Sequence, residues 1–557
     1  GYNPDFGNHN VYRYHVLFKE PEKIKEYFGK IPFLNGGLFD CFDYKSKDKD
    51  VRIYIDGFTD VKQHQPNIPN LLFFGEESNI DLNREYGTKG KRYKARGLID
   101  ILSSYNFTID ENDPDDFEVA LDPELLGRVF ENLLASYNPE TSSTARKATG
   151  SYNTPREIVD YMVTQSIFYY LKIHLHDTPD IEKKLSDLFL KECSHNPFDA
   201  NTTQKVISLI ERLRIVDPAV GSGAFPMGIL NKLVFILSKI DPKNTLWKQT
   251  QIEAINRNIK DPFLKESLIQ QTYEYFRNKD INYLRKLYLI QKCIYGVDIQ
   301  QIAVEIAKLR FFISLLVDEK LDDNKENRGI EPLPNLDFKL MQGNSLISSF
   351  DGIDLRYNGL SQKKKQFSFT FKKEYDDLIK EFEDTKNKFQ HETDKKKRDF
   401  LLDKIEGLIL QIFKEKLMER LPALKETKEP AFVTPNPKDQ EKYITIKRQE
   451  FAKKYGFEFE EAEKELMAYN EGRKPKNFFL WDVYFAEVFT GENPGFDIVI
   501  ANPPYGNLLT KKEKNIINNN FLFSTLSDIS SPFIEQCFNI LKNQGSLIFI
   551  INYAITF

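Results

Sequence analysis

The strongest constraint on the fold is a repeated alternation between short apolar segments and longer amphipathic ones. Residues 213–217 form the first apolar segment, and a glycine-rich turn separates it from a helical pattern over residues 224–239. Residues 293–299 form a second apolar segment, followed by a helical pattern over residues 301–317. This order of strand, turn and helix is typical of βαβ units, whose parallel strands are buried on both faces.

Three further apolar segments extend the pattern: residues 338–344, 496–502 and 546–551. The charged stretch 241–285, between the first and second segments, reads as inserted helices. The sequence therefore predicts an α/β fold with a doubly wound, Rossmann-like parallel sheet. We expect the edge formed by residues 547–551 to be covered by a continuing chain or another subunit, because an exposed apolar edge promotes aggregation.

Composition and length limit the class of protein. At 557 residues the chain is too long for one compact core, so about three or four domains are expected. Its 41% hydrophobic and 29% charged residues are typical of a folded protein rather than a disordered one. No apolar run reaches the roughly 18 residues of a membrane-spanning helix, so we expect a cytoplasmic protein without a membrane partner.

The net charge and the spacing of potential metal ligands bear on two classes, nucleic-acid-binding proteins and proteins with a structural metal. The balance of 78 Lys and Arg against 83 Asp and Glu gives a net charge of -5, so a nucleic-acid partner would have to meet a local basic patch. Neither the 4 cysteines nor the 7 histidines fall at zinc spacing. Cys193 and His195 come nearest but lack a second pair, so no structural metal is expected.

A glycine loop follows the first predicted strand. Residues 217–225 read Asp-Pro-Ala-Val-Gly-Ser-Gly-Ala-Phe, which places Gly221 and Gly223 at a strand-to-helix junction. Glycines allow close approach of the backbone to a ligand, and the start of the helix presents free N–H groups. An ordinary tight turn is the alternative. Pyrophosphate binding is disfavoured because Pro226 stands where a dinucleotide loop has its third glycine.

The residues Asn502, Pro503, Pro504 and Tyr505 follow directly after the fourth predicted strand. Open α/β sheets bind their ligands at this end of the strands. The two prolines stiffen the turn, so that the amide oxygen of Asn502 and the carbonyl of Pro503 offer two fixed acceptors to an NH2 group. Tyr505 offers a flat ring for stacking. The pattern favours a planar amine or amide as substrate over a merely structural proline-rich turn.

The glycine loop and the Asn-Pro-Pro-Tyr turn together resemble the amino-group DNA methyltransferases that use S-adenosylmethionine, specifically the adenine-N6 class. Residues 150–159 look like the motif that precedes the cofactor loop in that class, with Asn153 where Tyr is more usual and with Thr154 retained. With residues 32–39 and the long insertion, nearly the whole chain resembles the methylase part of type IIG restriction-modification enzymes. The resemblance implies a class I methyltransferase sheet.

The resemblance implies four regions in the chain. These are an N-terminal, mostly helical region with its connector at 1–149, the cofactor half of the core at 150–350, a charged helical insertion at 351–476 and the catalytic half at 477–557. Apolar spacing within residues 371–421 predicts a helical hairpin. A solvated pair of surface helices explains this hairpin more simply than a DNA-binding arm does.

The resemblance also assigns cofactor contacts. Thr154 would meet the methionine carboxylate and Asp217 the methionine amino group, with Ala219, Gly221 and Gly223 lining the loop. Asp298 would accept from the ribose hydroxyls, a role that its place after the second strand supports independently. A plain acid at a helix N-terminus is the alternative for Asp298.

The adenine of the cofactor would lie farther along the same edge. Ile299 would pack on its ring, and the side-chain oxygen of Asn344 would accept from its amino group, where the class often has Asp. Ser345 would lie near a ring nitrogen through its backbone, although a plain turn residue is nearly as good an interpretation.

The implied partner is double-stranded DNA with a flipped adenine, because a base inside a duplex cannot reach such a pocket. The absence of a Pro-Cys turn argues against methylation of a cytosine ring carbon. A type IIG enzyme would add an N-terminal nuclease domain and a C-terminal specificity domain, and we find no nuclease motif within this stretch.

Two alternatives stay open. An amino methyltransferase acting on RNA or on protein glutamine would keep the fold and the cofactor. A non-catalytic scaffold that binds DNA or a partner protein would keep only a residual cofactor site.

Overall fold

The computed structural model describes most of the chain from residue 154 onward and short parts before it. The described residues are 44–45, 52–53, 71–84, 87–103, 154–258, 262–319, 322, 324, 328, 330, 334–350, 353–354, 369–392, 395–420, 437–455, 464–466, 478–490, 493–505, 511–522 and 529–551. The chain divides into two compact units, one formed by Gly1–Phe33 with Phe39–Leu126 and the other by Leu34–Leu38 with Gly127–Phe557.

The described part of the first unit contains short strands and short helices. Its strands and helices are β1 (Tyr44–Lys45), β2 (Arg52–Ile53), α1 (Leu71–Phe74), β3 (Ser78–Ile80), β4 (Tyr93–Ala95) and α2 (Leu98–Ser103). β1 pairs with β2 and β3 pairs with β4, both antiparallel. The prediction of a mostly helical region is therefore wrong for the described residues of this unit. Residues 32–39 lie outside them.

The second unit is organised around a five-stranded sheet in which every strand pair is parallel. Its strands are β5 (Ile215–Asp217), β6 (Ile294–Asp298), β7 (Leu340–Gln342), β10 (Phe496–Ala501) and β11 (Leu541–Phe549), and a small hairpin of β8 (Ser349–Phe350) and β9 (Ile353–Asp354) stands apart. The order across the sheet is β11-β10-β5-β6-β7. The chain places β6 and then β7 on one side of β5, and afterwards β10 and β11 on its other side. This reversal makes the boundary between β5 and β10 a topological switch point.

All five predicted strands are present, and the last differs most from its prediction. It begins at Leu541 rather than at residue 546. The sequence Asn-Gln-Gly at residues 543–545 is typical of a turn, and Gln544 has a φ of 66°. The chain continues the strand through this irregularity, since Phe496 pairs with Leu541 whereas Ile498 already pairs with Ser546.

Helices cover both faces of the sheet. Those between residues 154 and 330 are α3 (Arg156–His174), α4 (Ile181–Phe189), α5 (Ala200–Arg212), α6 (Ala224–Ile240), α7 (Thr245–Asn258), α8 (Pro262–Asn278), α9 (Ile281–Lys292) and α10 (Gln301–Val317). The later ones are α11 (Phe369–His391), α12 (Lys395–Arg420), α13 (Pro437–Tyr455), α14 (Trp481–Tyr484), α15 (Lys511–Asn520) and α16 (Ser530–Ile540). None of the helices in the described ranges has the length and apolarity that crossing a membrane requires.

The alternation of side chains along each strand divides the core into two clusters. Ile215 and Ile498 pack in the cluster that contains α3, α6 and α10, whereas their neighbours Val216 and Val499 pack in the cluster that contains α11 and α12. Successive residues of a strand point to opposite faces, so this division means that both faces are buried. The predicted two-sided α/β arrangement is confirmed.

The helical pair α11 and α12 is part of this core rather than a solvated surface hairpin. Phe382 of α11 and Phe413 of α12 are fully buried in the same cluster as Trp481. Lys386 of α11 also donates to both carboxylate oxygens of Glu487, at 2.8 and 3.0 Å. The simpler prediction, a solvated pair, is wrong because each helix has one face that packs beneath the sheet.

Candidate functional site

The glycine loop and the Asn-Pro-Pro-Tyr turn lie at the same end of the sheet. Val499 of β10 pairs with Val216 of β5 in parallel register, so the carboxyl ends of the two strands are adjacent. Asp217 ends β5, and Asn502 follows Ala501 at the end of β10. The two motifs therefore flank the switch point, where open α/β sheets form their ligand crevice.

The glycine loop owes its shape to two residues with positive φ. Gly221 has a φ of 52° and Gly223 a φ of 89°. A side chain at Gly223 would come within 2.9 Å of the Cβ of Ala307 in α10, so glycine there permits close packing of two helices. The space beside Gly221 is open. Glycine at position 221 therefore serves the backbone conformation, because a positive φ strains other residues even where space is open.

Carboxylates brace this loop from both sides. Oδ1 of Asp217 accepts from the N–H of Ala219 at 2.9 Å. Oδ2 of Asp298, at the tip of β6, accepts from the N–H of Gly221 at 2.9 Å, and its Oδ1 accepts from the N–H of Gln300 at 2.9 Å. Asp298 thus holds the turn that carries Gly221. The next residue, Ile299, is 49% exposed, which leaves an apolar surface for a planar group at this edge.

Burial raises the pKa of both carboxyl groups, those of Asp217 and Asp298. Burial, with a further contribution from the charge of Asp298, raises the pKa of Asp217 to about 8, against the opposing hydrogen bond from Ala219. Burial likewise raises the pKa of Asp298. A cation bound beside Asp217 would favour its charged form, because an opposite charge lowers the pKa of a carboxyl group.

The tip of β7 is fastened to the start of the glycine loop. Oγ of Ser345 donates to the carbonyl of Pro218 at 2.6 Å, and Nε1 of Trp481 donates to the carbonyl of Ser345 at 3.2 Å. Oδ1 of Asn344 accepts from the N–H of Leu346 at 3.1 Å. Asn344 and Ser345 thus lie at the predicted edge, and the hydroxyl of Ser345 has a bracing contact that the sequence did not indicate.

The amide of Asn502 is held at both ends. Its Nδ2 donates to Oγ1 of Thr154 at 3.1 Å. Its Oδ1 lies 2.7 Å from the hydroxyl of Tyr505, which also lies 2.9 Å from the carbonyl of Ile550. The structure therefore brings Thr154 into the same site as the Asn-Pro-Pro-Tyr turn.

The Thr-Pro pair at residues 154–155 predicts a helix that Thr154 caps, but Thr154 is not the cap of α3. The helix begins at Arg156, Pro155 occupies the N-cap position, and no side chain caps it. Thr154 precedes the cap by one residue, so its hydroxyl is directed to Asn502 rather than to the first N–H groups of the helix.

Arg310 is a supporting residue that sequence reasoning missed. It lies in α10, is 3% exposed, and donates from Nη1 to the carbonyl of Ser222 at 2.9 Å. The signal was available, because Arg310 stands between Leu309 and the apolar run at residues 311–313. A buried guanidinium needs acceptors, and the carbonyl groups of a neighbouring loop are natural ones.

Cys193 and His195 are in contact, with Sγ 3.3 Å from Nδ1. Across the described ranges, no group of three or more His, Cys, Asp or Glu side chains is arranged to hold a metal ion.

The fold and the two loops at its switch point define a class of α/β proteins with a parallel sheet and a glycine loop after the first strand. Comparison with known proteins then narrows the class. Residues 292–557 match the model of the Eco57I restriction-modification methylase family. The chain is also 26% identical, over 96% of its length, to a Methanocaldococcus jannaschii protein named "Putative type II restriction enzyme and methyltransferase".

The chain spans 39% of the length of that relative. The resemblance to a restriction-modification methyltransferase is confirmed by these two matches.

Proposed function

We propose that this chain transfers a methyl group from S-adenosylmethionine to the N6 amino group of adenine in double-stranded DNA. It would act as the modification module of a type IIG restriction-modification system, together with nuclease and specificity domains. The observation that carries the proposal is the position of Asn502 and the glycine loop on the two sides of one switch point.

The residues of the loop fit the proposed cofactor. S-adenosylmethionine supplies an activated methyl group on a cationic sulfonium. Buried Asp217 would pair with its amino group, and the open space beside Gly221 admits a ligand next to the backbone. Asp298 has partners on both oxygens but retains lone pairs for a sugar diol, and Ile299 offers an apolar face for a purine ring.

Asn502 and Pro503 would bind the target amine. The hydroxyl of Tyr505 accounts for one lone pair of the Asn502 oxygen, so the other can accept from an adenine NH2. The carbonyl of Pro503 would accept the second hydrogen, Pro504 would stiffen the turn, and Tyr505 would stack the base. Two such acceptors would direct the nitrogen lone pair toward the methyl group, and a base inside a duplex would have to flip out to reach them.

The proposal is tested with tritiated S-adenosylmethionine and the full-length protein. Unmethylated phage genomic DNA, total RNA and total protein serve as parallel acceptors, because a long DNA contains most short recognition sequences. We expect label in DNA, recovered as N6-methyladenine. Label in a cytosine product, in RNA alone or in protein alone would contradict the proposal, and so would the absence of transfer.

Asn502→Ala should reduce methyl transfer by about a hundredfold to a thousandfold, the loss seen when a positioned hydrogen-bonding group is removed from a transition state. Binding of S-adenosylhomocysteine should stay within a few-fold of wild type. Asn201→Ala, at an exposed position on α5, is the matched control and should change neither quantity. Equal losses of transfer and of cofactor affinity in Asn502→Ala would refute the assigned role.

A further inference from the structure

The contact between Thr154 and Asn502 joins residues 348 positions apart in the chain. Both side chains are partly buried, and Nδ2 of Asn502 lies 3.1 Å from Oγ1 of Thr154. Thr154 stands just before α3, whereas Asn502 ends β10, so the hydrogen bond ties two separate elements together at the crevice.

The other end of the same amide is also fixed, because its Oδ1 accepts from the hydroxyl of Tyr505 at 2.7 Å. A primary amide has two N–H donors and an oxygen with two lone pairs. A hydroxyl on each end holds the amide by its nitrogen and by its oxygen, so that neither end of the group is left to solvent. The two contacts thereby fix the plane of the amide at the end of β10.

We propose that Thr154 is a positioning residue for Asn502 and that it acts on the methyl-transfer step through this amide. This inference rests on the proposed function. By holding the nitrogen, Thr154 leaves the free lone pair of Oδ1 directed to the substrate amine. Its hydroxyl accepts from Asn502 and keeps its own proton, so it can donate to a ligand carboxylate at the same time. The two contacts are compatible, and one hydroxyl would serve both sides of the crevice.

The test compares three variants of the full-length protein. Thr154→Val keeps the shape of the side chain but removes the hydroxyl, and Thr154→Ser restores a hydroxyl. Thr164→Val is the matched control. It makes the same change within α3, at a buried hydroxyl that has no hydrogen-bond partner among the described residues. Circular dichroism and thermal unfolding confirm that each variant is folded.

Two quantities are measured for each variant. The first is the single-turnover rate of methyl transfer to phage genomic DNA at saturating S-adenosylmethionine and DNA. The second is the dissociation constant of S-adenosylhomocysteine without DNA. We expect Thr154→Val to lower the rate about fivefold to tenfold, the effect of one lost hydrogen bond, and to weaken binding of S-adenosylhomocysteine as well, because the contact with its carboxylate is also lost. Thr154→Ser should recover most of the rate, and Thr164→Val should match wild type.

An unchanged rate at saturating S-adenosylmethionine in Thr154→Val would overturn the inference, whether or not cofactor affinity falls, because Thr154 would then act on the cofactor alone. A rate that Thr154→Ser does not restore would overturn it as well. A wild-type protein that transfers no methyl group would refute the proposed function instead, so the two failures are distinguishable.

Discussion

At the scale of single residues, Asp217 shows how burial and binding oppose each other. Its carboxyl group is 2% exposed and has a pKa of about 8, so it is mostly protonated at neutral pH. The folded chain therefore loses stability from this group as the pH rises from 3.8 to about 8, because the unfolded carboxyl ionises freely over that range. A bound cation would reverse this preference for the neutral form.

This residue gives a pH-dependent prediction for ligand binding. If Asp217 must ionise to pair with the amino group of the ligand, affinity for S-adenosylhomocysteine should rise with pH below about 8. The rise is up to about tenfold per pH unit for a single proton released. Calorimetry between pH 6.5 and 8.5 measures it, and Asp217→Asn serves as the reference because titration of the ligand itself cancels. Parallel pH profiles for the two proteins would contradict the prediction.

At the scale of elements, the helical pair α11 and α12 is bound to the sheet through one face of each helix. Phe413 is fully buried, whereas Phe400 of the same helix is 68% exposed. The charged side chains that mark this stretch in the sequence are interleaved with the apolar ones at helical spacing. The pair therefore combines a solvated face with a core face, and composition alone shows only the first.

The two phenylalanines of α12 provide a matched pair of substitutions. Phe413→Ala should lower the free energy of unfolding by about 3 to 5 kcal/mol, because it removes a large buried ring and leaves a cavity. Phe400→Ala should change it by less than about 0.5 kcal/mol, as is usual at exposed positions. Urea unfolding monitored by circular dichroism measures both, and equal effects would show that α12 does not pack as described.

At the scale of the second unit, one sheet organises two hydrophobic clusters, and the helical insertion supplies much of one of them. Trp481 and Phe479 pack in the cluster to which α11 and α12 contribute. Without the helical pair these aromatic side chains would meet water. The insertion is thus part of the core of the second unit, although it separates the strands of that core in the sequence.

Deletion of this insertion tests its structural role. Replacing residues 369–420 with a short Gly-Ser linker should lower the thermal midpoint strongly or abolish cooperative unfolding, because it exposes the aromatic cluster. Calorimetry and light scattering detect both outcomes. A deletion variant with the wild-type thermal midpoint would show that the pair is a separable module.

Local patterns were enough to predict the sheet and the two loops. Apolar strands and the glycine turn depend on neighbouring residues, so β5, β6, β7 and β10 fall within the predicted segments. The start of β11 was missed because Gln544 and Gly545 have the sequence of a turn, yet pairing with β10 carries the strand through them. Register with a neighbouring strand is a long-range property that local propensity does not contain.

The sequence by itself determined that this chain has a parallel sheet with a glycine loop and an Asn-Pro-Pro-Tyr turn at strand ends, because periodicity and turn chemistry are local. Only the tertiary structure decided which side chains meet there. Thr154 was predicted to cap a helix and instead contacts Asn502, and Ser345 and Arg310 fasten the glycine loop. A guanidinium donates to, and a hydroxyl donates to or accepts from, whichever partner the packing of distant elements places within reach. Local sequence patterns do not contain this information.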